Sequence, residues 1–250
     1  MTVKEALEQA DFFRAAGAGS RDEIAGFAYI RRFGKGAHVF YDREESTCLY
    51  FLVEGVASLY KINSLGEKKV IFVYGPGNLL NEDSLLRLTS AVNCEVREDS
   101  LVMVLPAERF IQVMDKDGRL AREVMGAMAL KIRRLYRQLK NTTNALSGEK
   151  RLAAKLFKLG KDYGVCSGDG IMIDMNLSIT YLADMLGSKR ETVSRQVKRL
   201  TELGLINMEK NRITIPDMKK ISEYFGSLSI VGVGFVKIPP QFYEKGPFYV

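Results

Sequence analysis

The sequence predicts an α+β chain in which a β-sandwich or roll leads into a long helix and then a winged helix-turn-helix. Three observations carry this. Between Phe27 and Leu105, short runs of β-branched and aromatic residues recur with glycine between them. After Pro106 the period lengthens, and Met125, Met128, Ile132, Leu135, Leu139, Thr142 and Leu146 alternate spacings of three and four. Near the C-terminal end, two compact helical patterns precede the alternating stretch INMEKNRITIP, which reads as a β-hairpin turning at Lys210 and Asn211.

The strand runs are AHVFYD, CLYFLVEGVASLYKI, KKVIFVYGPGNLL and AVNCEVREDSLVMVLP. Gly34, Gly36, Gly55, Gly66, Gly75 and Gly77 sit between or within them, where turns call for positive φ. The 3,4 stripe that follows is narrow, which suits a helix pairing with its own copy. The alternative is that the stripe packs on the β-domain. Ser147 and Gly148 break the pattern, GEKRLAAKLFKLGKDYG forms a separate short helix, and VCSGDG is expected as a polar loop. The expected division is a β-domain over 1–106, a long dimerisation helix over 107–146, a DNA-binding domain over 147–225 and an extension over 226–250. The hinge falls between Asn141 and Gly148. The extension is too apolar and aromatic for a disordered tail, and its role is left open.

At 250 residues, 46% hydrophobic and 27% charged, the chain has room for one large or two medium cores. No apolar run approaches the roughly 20 residues of a spanning helix, and MTVKEALEQADFFR has no signal-peptide pattern, so a cytoplasmic protein without membrane contact is expected. Cys48, Cys94 and Cys166 are far apart, which argues against a disulfide framework or a cysteine-rich metal site. One histidine, His38, cannot build a metal centre, and no P-loop, nucleophile elbow or H-E-x-x-H is present. An enzyme is not expected, nor any cofactor. His38 reads as a half-exposed structural histidine on a strand. The net charge of +7 admits an acidic partner, and the cations bunch in KIRRLYRQLK and again from Lys189 to Arg199.

Within the two compact helices, Ser178 caps a first helix whose Ile179, Leu182, Ala183 and Leu186 face inward, and Gly187 ends it. Ser188 starts the second. Its Val193, Val197 and Leu200 recur at i, i+4 and i+7, while Arg190, Glu191, Ser194, Arg195 and Lys198 fall on the opposite side. This is a helix-turn-helix layout fitted to a major groove of double-stranded DNA. Glu191 has two readings. It closes a capping box with Ser188, or it accepts from the exocyclic amine of cytosine while Arg190 and Arg195 donate to guanine or phosphate.

SITYLADMLGSKRETVSRQVKRLTELGLI, with its R-E-T-V-S-R motif over Arg190–Arg195, resembles the cyclic-AMP receptor and fumarate–nitrate reduction regulator (CRP/FNR) family of bacterial transcription factors. LYFLVEGVASL, Leu49–Leu59, matches the β-roll of that family, and the similarity extends to about Phe225. The resemblance implies an N-terminal double-stranded β-roll, a cupin-like jelly roll, which binds a small-molecule effector. It also implies a homodimer paired through Met125, Met128, Ile132, Leu135 and Leu139, and RNA polymerase as a further partner. The implied DNA contacts are Ser188, Lys189, Arg190, Glu191, Thr192, Ser194, Arg195 and Lys198 on the recognition helix, with Lys210 and Arg212 on the wing. Glu191 and Arg195 would be the base readers. Ser194 beside Arg195 resembles the oxygen-regulator branch, with a half-site like TTGA(T/C), whereas Arg190 matches the cyclic-AMP branch.

The departures from the family bear on the effector. Where cyclic-AMP binders carry a Gly-Glu pair and a following Arg-Ser pair, this chain has Asn81-Glu82 and Thr89-Ser90. Threonine cannot neutralise a cyclic phosphate, although Arg87 lies close enough in sequence to substitute. The N-terminal segment has no cysteine for an iron–sulfur cluster. A small organic anion is expected instead, held by Tyr74, Asn81, Glu82, Ser84, Arg87, Thr89, Ser90, Tyr136 and Arg137. Tyr136 and Arg137 suit an aromatic acid or phenolate, as in the branch sensing halogenated aromatics; the other reading makes Tyr136 core and Arg137 a solvated cation. The alternatives for the whole chain are a cyclic-nucleotide-binding regulator and a non-catalytic β-roll metal or redox sensor.

Overall fold

The computed structural model describes residues 1–64, 66–143 and 147–226, with the side chains of 137, 139–143 and 226 excluded. The expectations for the 226–250 extension, and for the side chains of Arg137, Leu139, Thr142 and Leu146, lie outside the described residues. The chain forms two compact units, Met1–Asn144 and Ala145–Val250.

The first unit opens with three short helices, α1 (Val3–Gln9), α2 (Asp11–Arg14) and α3 (Ala18–Ala25). Its strands are β1 (Tyr29–Phe33), β2 (His38–Phe40), β3 (Cys48–Glu54), β4 (Ala57–Ile62), β5 (Lys68–Tyr74), β6 (Asn78–Leu79), β7 (Asn93–Val96) and β8 (Ser100–Pro106). They form two antiparallel four-stranded sheets ordered β1-β8-β3-β6 and β2-β7-β4-β5, the roll that the glycine-punctuated runs predicted. Alternation along β3 divides its side chains between two cores. Leu52 joins Phe40, Leu59, Phe72, Tyr74, Cys94 and Val102 inside the roll. Leu49 and Phe51 point the other way, into a second core completed by Leu7, Phe12, Phe13 and Ile24 of the N-terminal helices. Those helices, and β1, were absent from the expected elements.

Four of the six glycines expected in left-handed turns are there, Gly36, Gly55, Gly66 and Gly77; Gly34 and Gly75 are not. At Gly55 (φ 91°) a Cβ would also lie 2.1 Å from Ser100 Oγ, so the requirement is steric as well as conformational.

The single helix expected over 107–146 is two, α4 (Ala107–Lys116) and α5 (Gly118–Thr143). Asp117 causes the break. Its extended backbone ends α4, and its Oδ1 accepts from the backbone N–H groups of Arg119 (3.1 Å) and Leu120 (3.3 Å), capping α5. The other oxygen, Oδ2, accepts from Gly17 N–H and Ser20 Oγ, both at 2.7 Å, and ties the N-terminal helices to the same point. These donors, Gly17 first, hold the buried carboxyl down to about pKa 2.

The second unit contains α6 (Gly148–Tyr163), β9 (Gly164–Ser167), β10 (Gly170–Ile173), α7 (Ile179–Leu186), α8 (Arg190–Glu202), β11 (Asn207–Glu209), β12 (Arg212–Ile215) and α9 (Met218–Gly226). The expected hairpin is present. Lys210 and Asn211 take positive φ (46° and 65°), as a two-residue turn between β11 and β12 requires. VCSGDG is not a plain loop: it supplies β9 and the turn into β10, giving a sheet ordered β11-β12-β10-β9.

Candidate nucleic-acid interface and effector site

The helix-turn-helix is built from the residues expected of it. Ser178 Oγ accepts from Tyr181 N–H at 3.1 Å and starts α7; Gly187, left-handed at φ 58°, ends it. Leu182 and Ala183 are buried on α7 and Ile179 and Leu186 half-buried, while Tyr181 and Met185 add buried surface the periodicity had not assigned. On α8, Val193, Val197 and Leu200 are buried as expected.

The capping box expected at Ser188 and Glu191 does not form. Lys189, not Ser188, is the N-cap of α8, and no side chain caps it. The backbone N–H of Ser188 donates instead to Ala183 O at 3.1 Å, closing the C-terminus of α7. The donor a capping box needs is therefore spent, and Glu191 stands one position too early in its helix to reach back.

The outward side of α8 carries Arg190, Glu191, Ser194, Arg195 and Lys198, all exposed, preceded by exposed Lys189; Thr192 and Ser188 are half-buried. Among the described residues, none of Lys189, Arg190, Glu191, Arg195 and Lys198 has an ion-pair partner, whereas Arg199 behind them pairs with Glu202 at 3.5 Å. On the hairpin, Lys210 is exposed at the turn, and Arg212 leans back on Asp174 (3.8 Å). Gln196 is a contact that periodicity missed. It packs against Gly148, where a Cβ would lie 2.2 Å from its Nε2.

The nine residues expected to line a ligand site, seven in the roll and Tyr136 and Arg137 on α5, divide. Asn81 is buried and spent internally: its Nδ2 donates to Cys48 O (2.9 Å) and Ser84 Oγ (2.8 Å), and its Oδ1 accepts from Tyr50 N–H (2.8 Å). Asn81 and Ser84 thus hold the 3-10 turn Glu82–Leu86 onto β3. Arg87 points away into solvent and pairs with Glu108 at 2.8 Å, so it does not replace the cation missing at Thr89, which is itself exposed. Tyr136 is 69% exposed, against the reading of it as core. Tyr74 and Glu82 are buried, as is Ser90, whose hydroxyl has no hydrogen-bond partner among the described residues.

Three residues of α5 that were not expected to face the roll do so. Lys131 forms an ion pair with Glu82, and its ammonium lies 5.9 Å and 5.8 Å from the ring centres of Phe72 and Tyr74. Arg134 lies 5.9 Å from the Tyr74 ring centre, and Gln138 Nε2 donates to Ile71 O at 2.7 Å. These positions, i, i+3 and i+7, form one helix face on β5. The sequence signal was available in KIRRLYRQLK, but a cation run reads equally as a solvated face.

On the expected dimer stripe, Met125, Ile132 and Leu135 are exposed, joined by Leu130. Met128 is half-buried against the core that includes the N-terminal helices, so it is not fully on the open side. His38 is half-buried, its Nε2 2.7 Å from Tyr60 Oη and its ring stacked on Tyr41, a structural role as expected. Burial pushes the Cys94 thiol well above its ordinary pKa and leaves it inert. Among the described residues no helix is long and apolar enough to cross a membrane.

A two-sheet roll joined through a long helix to a winged helix-turn-helix with a free basic face defines a DNA-binding transcription regulator with a ligand-binding-type domain. The matches to known proteins run in the same direction. Residues 30–117 match the cyclic nucleotide-binding domain and residues 150–224 the Crp-like helix-turn-helix domain. A global nitrogen regulator from Nostoc sp. (strain PCC 7120) is 25% identical over 231 residues, covering 90% of this chain and 100% of that protein. An anaerobic regulatory protein from Aggregatibacter actinomycetemcomitans is 23% identical over 193 residues, 77% of this chain and 75% of its own. Among solved structures, a CRP-family transcriptional regulator from Thermus thermophilus superposes with a TM-score of 0.69 at 22% identity, covering 79% of this chain and 97% of that one. The chain belongs to the CRP/FNR family of transcription regulators, and its function is regulation rather than catalysis.

Proposed function

We propose that this regulator acts in the cytoplasm as a homodimer, binds a palindromic TTGA-type operator, and responds to a small organic anion held at its roll. The observation that carries the DNA reading is the outward face of α8, where three cations and one carboxylate have no ion-pair partner among the described residues. Cations left free in this way meet phosphate and guanine, and the carboxylate rejects sequences lacking a cytosine amine. The exposed apolar residues Met125, Leu130, Ile132 and Leu135 on α5 support pairing with a second copy, which sets two half-sites about one helical turn apart. Effector binding shifts the population between two arrangements of the domains, and RNA polymerase is the partner that reads the result.

Cyclic nucleotide is the second reading, favoured by the domain matched over 30–117. Exposed Thr89, and Arg87 turned outward to Glu108, weigh against it, because a cyclic phosphate needs a cation at that wall. Binding to a palindrome library, repeated with aromatic acids, phenols and cyclic nucleotides, tests both. Enhancement by an organic acid supports the first reading and enhancement by cyclic AMP the second; no selected palindrome would refute the operator claim.

A further inference from the structure

We propose that Lys155 of α6 is a site of reversible carbamylation, at which dissolved carbon dioxide combines with the side-chain amine and lowers the attraction of the second unit for DNA. The inference does not depend on the roll, its effector or the operator sequence. Its geometric basis is the phase of α6. Leu152, Ala153, Leu156, Leu159 and Gly160 form the buried face of that helix. Arg151, Lys155 and Lys158, at i−4, i and i+3, form one stripe along its border.

The middle cation of this stripe is the poorly placed one. Arg151 and Lys158 are exposed, whereas Lys155 is half-buried and has no hydrogen-bond or ion-pair partner among the described residues. Like charges one turn apart repel, so protonated Lys155 is held between two cations, with the carboxylate of Asp162 two turns away as counter-charge. Burial first, then Lys158, brings the amine down to about pKa 8, and Asp162 offsets only part of this. Near neutral pH the uncharged amine is therefore about a hundredfold more abundant here than at an ordinary exposed lysine.

An amine in this state attacks small electrophiles. Carbon dioxide fits the position because it is uncharged, reaches a half-buried nitrogen and leaves a product that suits the stripe. The nitrogen lone pair forms the new N–C bond, a C=O π pair becomes the charge of the carboxylate, and the nitrogen proton passes to water. No oxidant and no leaving group is involved. The side chain changes from cation to anion, so the stripe alternates cation, anion, cation, and the repulsion on either side becomes attraction. A bulkier acyl donor would only neutralise the charge and gain neither pair. On a DNA-binding unit, the reversal weakens attraction to phosphate.

The test exposes the full chain to isotope-labelled carbon dioxide at constant, near-neutral pH, traps carbamates by ethylation with triethyloxonium and locates them by mass spectrometry. Product at Lys155 should exceed that at exposed Lys161 and Lys219 roughly tenfold or more, and vanish when the gas is removed before trapping. Arg151→Ala/Lys158→Ala keeps Lys155 but removes the flanking cations, and should cut the yield there roughly threefold or more. Affinity for a scrambled duplex at low salt should fall about twofold or more under carbon dioxide in the original chain, and stay constant in Lys155→Arg, which keeps the charge but lacks the amine. Absence of product at Lys155, an even spread over the exposed lysines or an undiminished yield in the double variant overturns the proposal. So does a duplex affinity that carbon dioxide leaves unchanged in the original chain or lowers equally in Lys155→Arg.

Discussion

The backbone N–H of Ser188 donates to the carbonyl of Ala183 at 3.1 Å, and this one bond decides what Glu191 is free to do. With that donor spent on the end of α7, the carboxylate has no capping partner and stays exposed in the first turn of α8. It is available to a base edge, and its position near the helix N-terminus favours negative charge.

Glu191→Gln is accordingly expected to change stability by no more than about 0.5 kcal/mol, since no hydrogen bond is lost. The same change should relax preference at the cytosine it is proposed to contact by roughly 1–3 kcal/mol. Thermal unfolding and a half-site mutation series measure the two separately. A large stability loss would restore the capping role.

Asp117 gives a pH-dependent forecast. Its folded pKa, about 2, lies below the ordinary 3.8, so its contribution is fully present above about pH 4 and is lost as the pH falls toward 2. Asp117→Asn should destabilise the first unit by about 1–3 kcal/mol at neutral pH, with the gap narrowing in acid. Denaturant unfolding at pH 7 and pH 3 checks this, and a gap that widens in acid would be the wrong sign.

The exposed apolar residues on α5 forecast self-association. Ile132, 49% exposed, is expected to be covered in the dimer, so Ile132→Glu should weaken dimerisation roughly tenfold or more. Sedimentation across a concentration series reads this directly. An unchanged monomer–dimer balance would place the interface elsewhere.

The wing should contribute affinity without sequence preference. Lys210→Ala should lower the salt dependence of binding by about one counterion while leaving the ranking of operator sequences unchanged. Arg212→Ala should do less, because Arg212 is partly engaged with Asp174 at 3.8 Å. Filter binding across a salt series distinguishes them.

The architecture was legible because its periods are strong: the roll's strands other than β1, the helix-turn-helix and the Lys210–Asn211 turn appear where alternation and spacing put them. Local signals misled where a one-residue shift mattered. Ser188 and Glu191 match a capping box in sequence but not in space, whereas Thr2 and Glu5 form a true one that begins the N-terminal helices. Asp117 could have been recognised as a helix break before Gly118, but its partners Gly17 and Ser20 lie about a hundred residues away and leave no local trace. The proposed ligand site was the least legible part. Asn81 and Ser84 are polar because they bind each other, and Lys131 is placed by helix phase against β5, which composition does not reveal.

The central claim is that α8 reads bases, and Arg195 tests it most directly. Affinity for a TTGA-type palindrome and for a scrambled duplex should be measured at one salt concentration for the original chain and for Arg195→Ala. The account predicts a loss of about 1–3 kcal/mol on the palindrome with little change on the scrambled duplex. Equal affinity of the two proteins for the palindrome, or an equal loss on both duplexes, would contradict it.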